Sequence, residues 1–293
     1  MVRVSLVIVA LSAGCFSTPT FRGGSGSGSD AGNGDASCVD SSAYDATARM
    51  DAPITCTWGI PVVLPGAFFG DVTGQPTTNA AMTLMMWDYG PGGTTNDLHY
   101  ATRAPADDTW TVYDDEPFDT GNNTQDLDPT LNDAGDVLFF LSNASGASTL
   151  YETRHTCSGW GTPQPVQSEA GINDVVAIDT VGDGNTLYIA FGGKDMRVLT
   201  RPDRDTAFAR SVVVDTHALF PGISPDQRSV YDARFDGLGL DHYTRSSLTS
   251  SFSSTPTEHL FGSMVVSDAE ILDDGVHMIV AMDRVTAAMS TCQ

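Results

Sequence analysis

A Thr-Arg pair closes a short extended segment four times in this chain, at Thr102-Arg103, Thr153-Arg154, Thr200-Arg201 and Thr244-Arg245. The arginines fall 51, 47 and 44 residues apart, and each is followed six or seven residues later by a bulky aromatic, Trp110, Trp160, Phe208 or Phe252. Self-similarity at such a period means that one supersecondary unit has been copied, and that each copy buries its apolar face only against a neighbour.

The copies start near Gly74, Asp128, Asp174, Phe220 and Ser267. In four of them a first segment ends in a turn: Asp133-Ala134-Gly135, Gly182-Asp183-Gly184, Pro225-Asp226-Gln227 and Asp273-Asp274-Gly275. These residue types suit the backbone of a tight hairpin. Apolar runs follow, such as Val137-Leu138-Phe139-Phe140 and Thr186-Leu187-Tyr188-Ile189, with the β-branched and aromatic composition of strands. A third strand carries the Thr-Arg pair and a fourth opens at the aromatic. Four short antiparallel strands per repeat make a β-propeller blade, and five copies predict an all-β propeller of five blades, or six if residues 67–79 hold a further one. An open β-sandwich is the rival architecture, disfavoured because sandwiches seldom repeat one motif at a fixed period.

The last copy stops after its third strand, at Cys292-Gln293, whereas Cys56-Thr57-Trp58-Gly59-Ile60-Pro61-Val62-Val63 reads like the fourth strand of the second copy from Cys157 to Val166. The N-terminal strand is therefore expected to complete the last blade, which removes an open sheet edge.

The repeats resemble the TolB-type WD-repeat-like propeller unit, in which Ser-Pro-Asp-Gly precedes an apolar strand and an Asp-Leu-Tyr strand follows. Ser224-Pro225-Asp226 with Ser229-Val230-Tyr231, Asp283-Arg284, and Asp97-Leu98-His99-Tyr100-Ala101-Thr102-Arg103 carry the resemblance, which spans roughly Gly66 to the C-terminus. Gln227 stands where the family has Gly, and the third copy lacks Ser-Pro. Propellers of this type are most often binding platforms, so the resemblance implies interaction rather than catalysis.

Ahead of the repeats, Met1-Val2-Arg3, the apolar run Val4 to Leu11 and Ser12-Ala13-Gly14-Cys15 form a targeting segment too short to span a membrane. Small residues before a cysteine resemble a bacterial lipoprotein signal, which implies acylation of Cys15 and a lipid-anchored mature protein. Phe16 after that cysteine, with no Asp, points by the same resemblance to the outer membrane; a secreted or periplasmic protein is the alternative. Residues 1–15 are thus read as signal peptide, 16–50 as flexible linker and 51–293 as the propeller domain. The linker reading rests on GGSGSGSDAGNGDAS from Gly23 to Ser37, which cannot build a core.

Cys38, Cys56, Cys157 and Cys292 remain, an even number suited to an oxidising compartment. A first strand that completes the last blade brings Cys56 beside Cys292, where a disulfide would staple the ends together, and Cys38 with Cys157 is then the second pair. No Cys-x-x-Cys or Cys/His spacing proposes a metal site.

The formal net charge is -23, with only five Glu among 37 acids and Lys194 as the single lysine. Such a chain repels phosphate backbones, which excludes nucleic acid as a partner. Asp179-Thr180-Val181-Gly182-Asp183-Gly184-Asn185 looks partly like a calcium loop but lacks its Asp spacing and closing Glu. Glycoside hydrolysis is the enzymatic alternative. It would need two acids around a central channel, and the innermost strands offer Asp71, Asp128, Asp179 and Glu270. No nucleophile elbow, zinc motif or phosphate loop occurs. The arginines are expected to form a structural ladder, and Trp87 is the expected loop aromatic for a partner. Together these readings describe a monomeric cell-envelope lipoprotein without catalytic residues, cofactor or metal. Its propeller would bind or scaffold an envelope protein or a glycan.

Overall fold

In the computed structural model the described residues are 57–64, 75–89, 96–105, 109–113, 124–144, 146, 148–168, 172, 174–192, 195–209, 212–215, 220–234, 238–272, 275, 277–282 and 286–291. All fall in the second of the two units, 1–38 and 39–293, into which the chain divides. The expected signal segment with Cys15 and the whole linker, 16–50, lie outside them, as do Cys38, Cys56, Cys292 and Asp71.

Every element among the described residues is a strand: β1 (Val62–Val63), β2 (Thr77–Thr78), β3 (Leu84–Tyr89), β4 (Asp97–Thr102), β5 (Thr111–Tyr113), β6 (Asp126–Leu131), β7 (Val137–Ser142), β8 (Thr149–Thr156), β9 (Gly159–Trp160), β10 (Gln164–Pro165), β11 (Val175–Val181), β12 (Thr186–Phe191), β13 (Met196–Thr200), β14 (Val212–Asp215), β15 (Pro221–Ile223), β16 (Ser229–Ala233), β17 (Leu238–Thr244), β18 (Glu258–Ile271), β19 (His277–Met282) and β20 (Thr286–Thr291). The fold is all-β and propeller-like. Three sheets are β2-β3-β4-β5, β6-β7-β8-β10 with β9 folded onto β8, and β11-β12-β13-β14; a fourth runs β15-β16-β17-β18-β19-β20-β1. The long β18 accounts for that larger sheet, because Glu258 to Val265 pair with β17 whereas Val266 to Ile271 pair with β19. β1 lies antiparallel to β20, with Val62 opposite Met289 and Val63 opposite Ala288.

The turn chemistry behind the repeated hairpins is explicit. The side-chain oxygen of Asn79 accepts the backbone N–H of Thr83 at 2.8 Å and of Leu84 at 3.0 Å. That of Asn132 accepts Asp136 N–H at 2.9 Å and Val137 N–H at 2.8 Å. Ser224 Oγ takes the same place against Ser229 N–H at 2.9 Å. Each such turn passes through one left-handed residue, Met82 (φ 52°), Gly135 (φ 72°) or Gln227 (φ 58°). Gln227 thus occupies the glycine place of the repeat with a side chain, at a cost of roughly 1–2 kcal/mol.

The second strand of each hairpin is the apolar centre of its sheet. Every residue of β7 is buried, and Tyr188, Tyr231, Phe139, Phe140 and Met86 are among the largest fully buried side chains. Clusters form between sheets: Val137, Phe139 and Leu150 pack with Ile178, Leu187 and Phe208, and Met86 and Leu98 pack with Leu138 and Phe140.

The Thr-Arg motif is a packing device in three of its four copies. The guanidinium carbon lies 4.9 Å from the centre of the Trp110 ring for Arg103, 4.5 Å from Phe208 for Arg201 and 4.7 Å from Phe252 for Arg245. Nε of Arg103 and Arg245 donates to the turn carbonyls of Met82 and Gln227, and that of Arg201 to Asn185 Oδ1. Two of them also reach the preceding sheet: Arg201 Nη1 meets Glu152 at 2.6 Å and Arg245 Nη2 meets Tyr188 Oη at 2.7 Å. Arg154 departs from the pattern. Its aromatic, Trp160, packs edge-on against His155 in the tight β8-β9 hairpin, and Arg154 turns toward Glu152 and Asp205.

Candidate functional site

Strands β2, β6, β11, β15 and β18 lie beside one another in that order, and Thr78 of β2 bonds to Glu270 of β18. At four joints the side-chain oxygen of a residue on one strand accepts a backbone N–H of the next. Thr77 Oγ1 accepts Leu131 N–H at 2.9 Å, and Thr130 Oγ1 accepts Thr180 N–H at 3.1 Å. Asp179 Oδ2 accepts Ile223 N–H at 2.6 Å, and Glu270 Oε2 accepts Thr78 N–H at 3.2 Å. Thr77, Thr130, Asp179 and Glu270 each stand two residues before the residue that pairs across the hairpin turn (Asn79, Asn132, Val181 and Leu272), and Gly222, two before Ser224, is the fifth residue at that place. It carries no acceptor. A Cβ there would lie 2.1 Å from the backbone oxygen of Ala269, so β15 and β18 approach closely because residue 222 is glycine.

The space enclosed by these strands is small. Two cavities follow one another along them and share Glu270 in their walls, one of about 20 Å³ bounded by Thr78, Leu131, Thr180, Ile223 and Ile271, the other of about 10 Å³ bounded by Gln75, Pro129, Asp179, Pro221 and Asp268. Each holds about one water molecule. Neither of these two cavities admits a sugar ring.

Acids crowd this axis. Burial pushes the Asp179 carboxyl up to about 7, against the hydrogen bonds from Ile223, Thr130 and Thr180 that favour its charge. Asp88 is pushed up to about 6 by burial, with Asn96 Nδ2 donating to it at 3.2 Å. Asp128 and Asp268 stand well above the usual carboxylate range, first through burial and then through neighbouring acids, Asp88 for the former and Asp128, Asp179 and Glu270 for the latter. Asp128 also has a left-handed backbone, φ 50°.

Of the expected channel acids, Asp128, Asp179 and Glu270 do come to the axis. Asp268 joins them in the wall of the smaller cavity, and Asp88 of β3 stands close enough to Asp128 to raise its pKa; neither was anticipated. Asp268 precedes Glu270 by two on one strand and so shares its side of the sheet, a signal present in the alternation; Asp88, inside the buried run of β3, gave none. Among the described residues no three His, Cys, Asp or Glu side chains are grouped to hold a metal ion. In the calcium-like loop, Asp183 is turned to Asn185 and Asp179 to Ile223. Trp87 corrects an expectation: it lies in β3, is 5 % exposed and stacks on His99, so it serves the core and presents nothing to a partner. The alternating pattern of Met85-Met86-Trp87-Asp88 was hidden because that strand is covered on both faces. Cys157 is exposed in the β8-β9 turn. The other members of the expected pairs, Cys38, Cys56 and Cys292, lie outside the described residues.

No family model matches this sequence, and no curated protein matches it either. Several solved structures are similar. TolB from Acinetobacter baumannii aligns at 13 % identity and a TM-score of 0.39, covering 76 % of this chain and 44 % of that one. Kuenenia stuttgartiensis hydrazine synthase aligns at 14 % identity and a TM-score of 0.42, covering 75 % and 59 %. A putative 6-phosphogluconolactonase from Bacteroides uniformis aligns at 10 % identity and a TM-score of 0.44, covering 77 % and 69 %. The chain therefore spans less than two thirds of the length of the first two.

Proposed function

We propose that this protein is a cell-envelope lipoprotein whose propeller, without catalysis, serves as a binding or scaffold module for an envelope protein or a glycan. The observation that carries the non-catalytic part is the succession of side-chain to backbone hydrogen bonds around the axis. It gives Asp179 and Glu270 a structural duty, as acceptors for Ile223 and Thr78, in a space with room for little more than water. Glycoside hydrolysis needs a pair of acids flanking a bound sugar, and an open site to admit it.

In this reading the propeller has five blades. The switch of β18 from β17 to β19 supports it, since dividing the large sheet there leaves two sets of four strands. The pairing of β1 with β20 and the bond from Thr78 to Glu270 support a ring closed by the N-terminal strand. Gly59 N–H donates to Thr291 O at 3.0 Å, which favours the proposed Cys56–Cys292 staple a few residues further on. Cys157 is exposed in the β8-β9 turn, a place open to the proposed pairing with Cys38 in an oxidising compartment.

Anchoring follows from the sequence: acylated Cys15, in the outer membrane, with the Gly/Ser-rich linker allowing the propeller to stand away from the bilayer. The test is to express the full chain in a Gram-negative host with radiolabelled palmitate, fractionate the membranes and crosslink intact cells. Label in the outer-membrane fraction that vanishes in Cys15→Ala, together with a specific crosslinked envelope component, is expected. An unlabelled, freely soluble protein would overturn the anchor, and hydrolysis of a glycan that Asp179→Asn abolishes would overturn the binding-module reading.

A further inference from the structure

Away from the axis, the seam between the second and third sheets holds a cavity of about 450 Å³, within the size range of small-ligand sites. Its walls are the end of β8, the β10 segment and the loop after β13. Backbone bonds fix both sides: Phe208 N–H donates to Gln167 O at 3.0 Å and Ala209 N–H to Thr200 O at 2.8 Å. The cleft is thus preformed.

Three arginines line it, Arg154, Arg201 and Arg204, in a chain that has only 14 basic residues and a net charge of -23. Two of them are committed to the fold. Arg201 is buried and holds Glu152 at 2.6 Å, and Arg204 holds Asp136 at 2.7 Å. Arg154 is different. Its Nε is tied to Glu152 at 2.9 Å and its Nη2 to the backbone oxygen of Arg204, which aims the guanidinium, while Nη1 meets Asp205 at 2.9 Å. That last partner is loosely held: the Asp205 side chain is 91 % exposed, and Arg154 itself is 41 % exposed. Exposed pairs of this kind contribute little to stability and are readily exchanged. Asp205 therefore acts as an internal carboxylate occupying, through Nη1 alone, a seat that a ligand carboxylate can take as a charge-assisted hydrogen bond. Thr162, the side-chain carbonyl of Gln164 and the Thr206 hydroxyl, which donates to Asp203, offer acceptors around the seat for a ligand rich in hydroxyls, whereas Thr153 is buried with its hydroxyl on Gly161 O.

We propose that this cleft binds a hydroxylated carboxylate, a hexuronate-type acidic sugar, whose carboxylate displaces Asp205 from Arg154. The inference rests on the binding-module reading and gives it a ligand class and a place on the rim.

Calorimetry of the full chain with sodium glucuronate, with glucose and inorganic phosphate as controls, tests it. Glucuronate is expected to bind and glucose not to. Arg154→Gln should weaken binding by about tenfold or more. Asp205→Asn, at an exposed loop position, should tighten it by about threefold, because the internal competitor is gone. No binding of glucuronate to either the wild type or Asp205→Asn overturns the proposal, as does Asp205→Asn binding no more tightly, or phosphate binding in preference to glucuronate. If those failures coincide with a specific envelope partner in the crosslinking experiment, only the ligand assignment falls and the binding-module reading stands.

Discussion

Replacing Asp179 by Asn separates the two things this side chain does at the axis. As an acceptor it holds Ile223 N–H at 2.6 Å, a duty the Asn carbonyl retains, while the amide group faces Thr130 Oγ1, whose hydroxyl can turn to accept. As an acid it carries a penalty. Burial raises its folded pKa from the ordinary 3.8 to about 7. The folded state therefore binds this proton more tightly than the unfolded state does. The contribution to stability is complete below about pH 4 and is lost as pH rises through 7. Three pKa units correspond to about 4 kcal/mol of ionisation cost above pH 7. Asn has no such cost. Urea unfolding of wild type and Asp179→Asn across pH 4 to 8.5 is the assay. Near pH 4 the two should agree within about 1 kcal/mol, the worth of an imperfect hydrogen bond. At pH 8.5 the variant should be more stable by about 3 kcal/mol once that bond is subtracted. A variant less stable by the same amount at every pH would refute the reasoning, since the carboxylate would then act through its hydrogen bonds alone.

Three other substitutions probe separate parts of the structure. Gly222→Ala places a methyl group 2.1 Å from the Ala269 carbonyl oxygen, so β15 and β18 must part, and a loss of about 3 kcal/mol or more is expected in thermal melts. Arg201→Met removes the cation over Phe208 and leaves Glu152 with Arg154 alone; denaturant unfolding should show a loss of about 3–5 kcal/mol. His242 has its pKa lowered to about 4 by burial against the ordinary 6.5, so its contribution is present above pH 6.5 and is lost as pH falls through 4. His242→Phe keeps the stacking on Tyr231 and should flatten that acid limb by about 3 kcal/mol, read as a higher midpoint of acid unfolding.

Much of this architecture was legible in the chain. The turns expected at Asp133-Ala134-Gly135, Gly182-Asp183-Gly184 and Pro225-Asp226-Gln227 sit between paired strands, and the apolar runs became the buried second strands, because both are properties of contiguous residues. The recurring arginine with its following aromatic was read as structural, and in three copies it is. Some features were not readable. Trp87 looked like a loop aromatic beside Asp88-Tyr89-Gly90-Pro91, yet it is core, since a strand covered on both faces loses the alternation that marks burial. Arg154 carries the same local motif as its counterparts, and its release toward Asp205 depends on the β8-β9 hairpin carrying Trp160 elsewhere. A fourth strand was expected to open at Phe252, but β18 begins at Glu258 and runs on to Ile271 through the boundary between two sheets.

The sequence alone determined the repeating unit, the all-β class and the positions of the hairpins, because periodicity and turn chemistry act within a few residues of one another. Only the tertiary structure decided which oxygen meets which N–H around the axis, that Gly222 rather than a fifth acceptor stands against Ala269, and that Asp268 joins Asp128, Asp179 and Glu270, with Asp88 close to Asp128. Those partners are 44 to 192 residues apart. Their meeting is set by how successive sheets twist and pack, and no local pattern records it.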